Sequence, residues 1–106
     1  MKALSLFIFI LIASTTSSEE NNSILIYGDS ISAGYGMEKE SQWSESLKTL
    51  LSDKGYKISV YNRSVSGETT GGGLTRISRI LDELKPTFLL LELGGNDALR
   101  GYPPKK

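Results

Sequence analysis

The stretch SILIYGDSISAGYG, residues 23–36, decides the fold of this chain. Residues 23–27 are a short apolar run with β-branched side chains, and the run stops at Gly28. Such a run bounded by glycine predicts a buried β-strand. Residues 28–36 are rich in glycine and serine, which predicts a loop at the carboxyl end of that strand.

A helix and a second strand are predicted after this loop. Apolar side chains recur at helical spacing over residues 43–51, with Ser41 as the predicted N-cap and Gly55 as the residue after the helix. Residues 57–62 alternate between apolar and polar side chains, which is typical of a strand with one less buried face.

A second helix and a third strand complete the pattern. The helix ends before Pro86, and its apolar face consists of Leu74, Ile77, either Ile80 or Leu81, and Leu84. Residues 87–93 form a nearly continuous apolar run, which favours a central parallel strand covered on both faces. The two predicted helices cannot easily cover both faces of three strands, so we expect this last strand to be left partly uncovered. The order strand, helix, strand, helix, strand with short loops predicts an α/β fold with a parallel sheet.

Three loops rich in glycine, serine and asparagine follow the three predicted strands, at residues 28–36, 63–73 and 94–101. Open parallel sheets bind ligands outside the carboxyl ends of their strands. Because those ends share one edge of the sheet, the sequence predicts a functional site there.

Each of these loops offers one group with a chemical use. Ser30 presents a hydroxyl, Gly67 allows close backbone approach and offers its N–H, and Asn96 carries an uncharged amide that can donate to an oxyanion. Each signal is weak alone, but together they predict a nucleophile with oxyanion donors. Asp29 and Asp97 are expected to support the turns or cap helices rather than to catalyse.

Composition narrows the chemistry further. The 106 residues include 12 basic and 12 acidic side chains, no cysteine and no histidine. The lack of cysteine excludes disulfides, zinc–thiolate sites and a cysteine nucleophile. The lack of histidine excludes the commonest general base of a catalytic serine. The balanced charge argues against a nucleic-acid partner.

The N-terminus has the order of a secretory signal peptide. Lys2 gives a positive start, residues 3–13 are an 11-residue apolar run, and residues 14–18 are small and polar. A membrane-spanning helix would need roughly 20 apolar residues. We therefore predict a signal peptide over residues 1–18, a mature domain over 19–106, a periplasmic or secreted location and no stable membrane anchor after cleavage.

The loop motifs resemble three sequence blocks of the SGNH (GDSL-type) hydrolases. The matching residues are GDSI at 28–31, Gly67 within SGET and GGND at 94–97, with Ile31 in place of the usual leucine. The wider strings ILIYGDSISAGYGM, SVSGETTGGGLTRI and LLLELGGNDALRGYPP are similar to those of the bacterial periplasmic arylesterases. That group includes the multifunctional acyl-CoA thioesterase/lysophospholipase. The resemblance covers essentially all of residues 23–104.

This resemblance implies a three-layer α/β/α, flavodoxin-like fold and a serine ester hydrolase. Its substrates would be small carboxylic esters or acyl thioesters. Ser30 would be the nucleophile, and the Ser30 N–H, the Gly67 N–H and the Asn96 side chain would form the oxyanion hole. No metal and no organic cofactor is expected.

One departure from the family concerns the base. The family's fourth motif, Asp-x-x-His near the C-terminus, supplies the general base and its orienting acid, and this chain contains no histidine. Asp82 and Asp97 therefore cannot take that role. We expect the chain to be the N-terminal part of such a domain, ending after the third strand, and to be inactive or barely active alone.

Two other functions stay open at the level of sequence. A non-catalytic module would hold an acyl or carbohydrate ligand without cleaving it. The composition of the second loop is also explained by a simple β-to-α turn with Thr69 or Thr70 as the helix cap. A flavodoxin-like phosphate binder would use the same Ser/Thr/Gly loops. The scarcity of basic residues near these loops, which are Arg63, Arg76 and Arg100, weakens the second alternative.

Overall fold

The computed structural model describes residues 21–104, so the predicted signal peptide of residues 1–18 lies outside the described residues. The elements in chain order are β1 (Ser23–Gly28), α1 (Ser30–Ala33), a 3₁₀ turn (Lys39–Ser41), α2 (Trp43–Asp53), β2 (Ser59–Asn62), α3 (Thr70–Leu84), β3 (Phe88–Glu92) and α4 (Gly95–Leu99). The predicted alternation of strands and helices is confirmed. The short helices α1 and α4 lie inside segments that were predicted as loops.

The three strands form one parallel sheet in the order β2-β1-β3. Ser23 pairs with Ser59 at the start of β2, and Gly28 pairs with Glu92 at the end of β3. The order 2-1-3 begins the flavodoxin-like order 2-1-3-4-5, which confirms the predicted fold class. Because β2 and β3 lie on opposite sides of β1, the loops after β1 and β3 flank the crevice where such sheets bind ligands.

Strand β1 is the core of the described structure. All six of its residues are buried, and Leu25 and Ile26 are 0% exposed. Leu25 and Tyr27 face one side of the sheet while Ile24 and Ile26 face the other, so β1 is covered on both faces. This is the environment that its continuous apolar run predicts.

Strand β3 differs from the prediction. Within residues 21–104 it pairs only with β1, so it is an edge strand rather than a central one. Its apolar side chains are exposed, with Phe88 at 55% and Leu91 at 61%. The apolar run predicted the strand correctly, and the expected shortage of segments to cover both of its faces is confirmed, whereas its predicted central position is wrong for the described residues. The apolar pattern shows that a strand is suited to burial, but it does not show which segments cover that strand.

The start of α2 also differs from the prediction, whereas its end does not. Ser41 closes the 3₁₀ turn, and Gln42 is the N-cap, without a side-chain capping bond. Gly55 follows the helix with φ of 80°, and the Tyr56 N–H donates to the Leu51 carbonyl at 3.0 Å. That bond is the outer bond of a Schellman motif, which explains the glycine.

The apolar face of α3 is confirmed except at Leu74. Four of its residues are half-buried, namely Ile77, Ile80, Leu81 and Leu84. Leu74 is 75% exposed, and the buried residue of that turn is Gly73. A β-carbon at Gly73 would lie 2.7 Å from Leu93 Cδ1, so the helix approaches the sheet through this glycine. Neighbouring residues on a helix are about 100° apart, so Leu74 points aside.

Replacing Leu25 with alanine is expected to lower the free energy of unfolding by about 2–5 kcal/mol, because it opens a cavity in the covered strand. The matched control is Leu91→Ala on β3, where the same atoms leave a 61% exposed position. That change is expected to cost less than about 1 kcal/mol. Urea denaturation of both variants measures the difference, and equal losses would contradict the assignment of the core to β1.

Candidate active site

Ser30 is the first residue of α1 and lies directly beyond β1. Asp29, which is only 3% exposed, caps this helix by accepting the Ile31 N–H at 3.0 Å. The first amides of a helix have no partner within it, so the Ser30 N–H is available to a ligand. Ser30 itself is half-buried, and it therefore presents both its N–H and its hydroxyl at the carboxyl edge of the sheet.

The α1 helix is held to a single turn by a glycine. The Ser30 carbonyl accepts the N–H groups of Gly34 at 3.1 Å and Tyr35 at 3.2 Å. Gly34 has φ of 76°, and a β-carbon there would collide with the side chain of Gln42. Another residue at position 34 would therefore have to adopt a strained backbone conformation and push the Gln42 side chain aside.

Gly67 lies in a tight turn after β2. The Glu68 N–H donates to the Val65 carbonyl at 3.2 Å, and Gly67 has φ of 80°. A positive φ at the third position of such a turn is typical of type II, which needs glycine there. Gly67 is exposed, so its backbone is open to an approaching ligand.

Asn96 lies in the first turn of α4, after β3, and its side chain reaches the second loop. Its Nδ2 donates to the Glu68 carbonyl at 2.9 Å. The amide has two hydrogens, so this bond fixes its plane and leaves the second hydrogen for another acceptor. Asn96 is half-buried and carries no charge, which suits a donor to a developing oxyanion.

Asp97 ties the same two loops together. Its carboxylate accepts the Thr70 N–H at 2.9 Å and the Thr70 hydroxyl at 2.7 Å. These hydrogen bonds from Thr70 lower the pKa of Asp97. Thr69 is the N-cap of α3 and accepts the Gly72 N–H at 3.2 Å. Asp97 therefore holds the start of α3 rather than a turn of its own segment.

Replacing Asp97 with asparagine is expected to lower the melting temperature near neutral pH, because one of the two acceptor oxygens becomes a donor. The pKa of Asp97 is lowered in the folded chain, so its contribution is complete above the ordinary carboxyl pKa of about 4 and is lost as pH falls through the lowered value. Thermal melts at about pH 7 and about pH 2.5 should show the gap between variant and wild type shrinking in acid. In a Thr70→Val background the gap should already be smaller at neutral pH. A gap of equal size at both pH values would refute this role.

Sequence reasoning missed a set of polar contacts that join the first loop to the end of β2. The Gly28 N–H donates to Ser64 Oγ at 3.0 Å, and the Val65 N–H donates to the Gly28 carbonyl at 3.0 Å. The Asn62 Nδ2 donates to the Ser32 carbonyl at 2.6 Å. An asparagine as the last residue of a strand was the available signal, since buried amides need partners.

A partly charged cluster docks α3 against β1. The Tyr27 hydroxyl donates to the Gly73 carbonyl, and burial raises the pKa of Tyr27. The guanidinium of Arg76 lies 5.1 Å from the centre of the Tyr27 ring, and Arg76 Nε donates to Glu68 Oε2 at 2.9 Å. Since Arg76 is paired with a carboxylate and a ring, it is a poor candidate for holding a phosphate.

The three predicted site segments contact one another. A β-carbon at Gly95 would lie 3.7 Å from Asp29 Oδ2, which places the Asn96 helix beside the Ser30 turn. The Asn96 amide in turn contacts Glu68, the neighbour of Gly67. No group of three acidic, histidine or cysteine side chains within residues 21–104 could hold a metal ion. None of the helices in that part of the chain is long and apolar enough to cross a bilayer.

Comparison with known proteins finds relatives of this chain in one family. Residues 26–106 match the GDSL-like Lipase/Acylhydrolase family. The chain is 43% identical over 105 residues to an arylesterase of Vibrio mimicus, covering 99% of this chain and 52% of that protein. It is 42% identical over 101 residues to the thioesterase 1/protease 1/lysophospholipase L1 of Escherichia coli, covering 94% of this chain and 46% of that protein. The crystal structure of AlinE4, an SGNH-hydrolase family esterase, superimposes with a TM-score of 0.73 at 43% identity, covering 83% of this chain and 48% of AlinE4. The chain thus spans about half the length of the curated relatives it matches.

Proposed function

The chain belongs to the GDSL-like lipase/acylhydrolase family, and from this premise we propose that it carries the nucleophile and the oxyanion hole of a serine ester hydrolase. Ser30 is the nucleophile, and the substrate is a small carboxylic ester or an acyl thioester. The observation that supports this most is the contact of Asn96 with Glu68, because it brings the amide of the third loop to the Gly67 turn.

The reaction begins with attack of Ser30 Oγ on the acyl carbon. The hydroxyl proton leaves to a base, and the carbonyl oxygen becomes an oxyanion. The N–H groups of Ser30 and Gly67 and the second amide hydrogen of Asn96 donate to that oxyanion. Loss of one such donor raises the barrier by about 3 kcal/mol. Collapse of the intermediate breaks the bond to the alcohol or thiol, which leaves protonated, and water then hydrolyses the acyl-serine.

The base is not among the carboxylates of these loops. Asp29 is buried and caps α1, Asp97 holds Thr70, and Glu92 accepts from Ser32 Oγ. The 106 residues contain no histidine. General-base help is worth typically about 10²- to 10⁴-fold in rate. The 106-residue chain by itself therefore turns over slowly or not at all.

The site works outside the cytoplasm. This part of the proposal rests on the apolar run at residues 3–13 and the small polar residues after it, which fit a signal peptide removed near residue 18. The mature domain then acts in the periplasm or as a secreted protein. Treating the expressed precursor with a signal peptidase and measuring the mass of the product tests this directly.

The proposed function is tested by supplying the missing base. In the complemented domain, residues 21–104 of this chain are joined to the remaining half of the Vibrio mimicus arylesterase, which by family resemblance carries Asp-x-x-His. Hydrolysis of p-nitrophenyl acetate should be at least about 10²-fold faster with the complemented domain than with the 106-residue chain. A complemented domain that melts cooperatively but hydrolyses nothing would favour the non-catalytic binding module instead.

A further inference from the structure

Glu92 is a charged residue at the end of an otherwise apolar strand, and its carboxylate points at the first loop. It is half-buried and pairs in register with Gly28. Its Oε1 accepts the Ser32 hydroxyl at 2.9 Å and the Asp29 N–H at 3.3 Å. These two donors stand on either side of Ser30 in the chain, so one carboxylate oxygen holds both ends of the turn that carries it.

Gly28 makes this contact possible. A β-carbon at Gly28 would lie 2.7 Å from Glu92 Oε1 and 2.7 Å from the Glu92 carbonyl oxygen. Even the smallest side chain would therefore push the carboxylate away from its donors. This gives the glycine of the GDS sequence a role in packing that is independent of backbone conformation.

The two donors have little alternative to Glu92. Ser32 is 1% exposed and Asp29 is 3% exposed, so water cannot easily replace the carboxylate. A buried donor left without an acceptor is costly, and hydrogen bonds to an ionised acceptor are stronger than those between neutral groups. The carboxylate therefore constrains the turn more tightly than the short α1 helix could by itself.

We propose that Glu92 is a positioning residue for Ser30. It holds the Asp29 N–H, directly before the nucleophile, and the Ser32 hydroxyl, two residues after it. In this way it sets the direction of the Ser30 hydroxyl and N–H. The inference rests on the proposed function, because it assigns a catalytic purpose to the held turn. Ser30 carries both the nucleophile and an oxyanion donor, so a shift of its turn misplaces both groups and lowers the reaction rate steeply.

The first test needs no activity and uses the full chain. Amide hydrogen exchange is measured for wild type, Glu92→Ala and Glu92→Gln, with Glu83→Ala on the exposed side of α3 as the control. In Glu92→Ala the Asp29 amide should exchange about tenfold faster, while amides of β2 keep their rates. Glu92→Gln retains an oxygen acceptor and should restore the Asp29 rate. An Asp29 amide that exchanges at the wild-type rate in Glu92→Ala would overturn the proposal.

The second test asks whether the held turn matters for Ser30. The same variants, made in the complemented domain that supplies the base, are treated with a fluorophosphonate well below their melting temperatures, and the adduct on Ser30 is followed by mass spectrometry. Glu92→Ala should slow labelling at least tenfold and Glu92→Gln should stay within about twofold of wild type. Equal labelling rates with only a lowered melting temperature would show a purely structural residue and refute the positioning role. If wild-type Ser30 takes no label at all, the proposed function fails, and the exchange result still decides whether Glu92 holds the turn.

Discussion

Replacing Ser30 with alanine in the complemented domain is expected to lower kcat/KM for p-nitrophenyl acetate by at least about 10⁴-fold. In the proposed mechanism the change removes the oxygen that attacks the acyl carbon, while the oxyanion donors remain. Because Ser30 is half-buried at the start of a one-turn helix, the smaller side chain should leave the melting temperature nearly unchanged. Steady-state kinetics with matched melting curves measure both quantities.

The control for this prediction is Ser78→Ala, which removes a hydroxyl from the exposed face of α3. It should keep the wild-type rate. A Ser30→Ala variant that retains turnover within tenfold of wild type would mean that another nucleophile, or a directly activated water, does the chemistry.

Replacing Asn96 with alanine in the same domain is expected to lower kcat by about 10²- to 10³-fold with little change in KM. The amide hydrogen that faces the ligand is used only when the carbonyl oxygen gains charge, so the loss falls on the transition state rather than on binding. The variant also loses the bond from Asn96 to the Glu68 carbonyl, so a modest fall in melting temperature should accompany it.

Asp97→Asn separates the loss of the oxyanion donor from the loss of stability. Like Asn96→Ala, it weakens the link between the second and third loops. It changes the contacts with Thr70 but keeps the Asn96 amide. We expect a fall in stability with a much smaller loss of kcat. If Asp97→Asn and Asn96→Ala lowered kcat equally, Asn96 would be a structural tie and not an oxyanion donor.

The sequence was sufficient for those features that depend on local pattern. The apolar runs predicted the three strands, and the glycine, serine and asparagine after each strand predicted where Ser30, Gly67 and Asn96 lie. Parallel strands bring such loops to one edge whatever the detailed packing. Gly55 could likewise be predicted as the end of α2, because a Schellman motif is formed within a few residues.

The sequence was insufficient for contacts between segments distant in the chain. Asp97 was expected to support a turn or to cap a helix, but the sequence did not show that its partner is Thr70, 27 residues away. Glu92 was read only as part of an apolar strand, although a lone carboxylate there signals a polar partner. The apolar run that contains Leu91 favoured a central strand, and within residues 21–104 this strand lies at the edge of the sheet. Each of these features depends on which segments contact one another in the folded chain, and the periodicity of a sequence carries no information on such contacts.

We propose Ser30 as a nucleophile whose oxyanion hole is built by this chain and whose base is not. The most direct measurement is the mass of the peptide containing Ser30 after treatment with a fluorophosphonate, taken over time for the 106-residue chain and for the complemented domain. We expect a single adduct on Ser30 in both proteins, formed about 10²- to 10⁴-fold more slowly in the 106-residue chain. An adduct on any other serine, or equal rates in the two proteins, would contradict it.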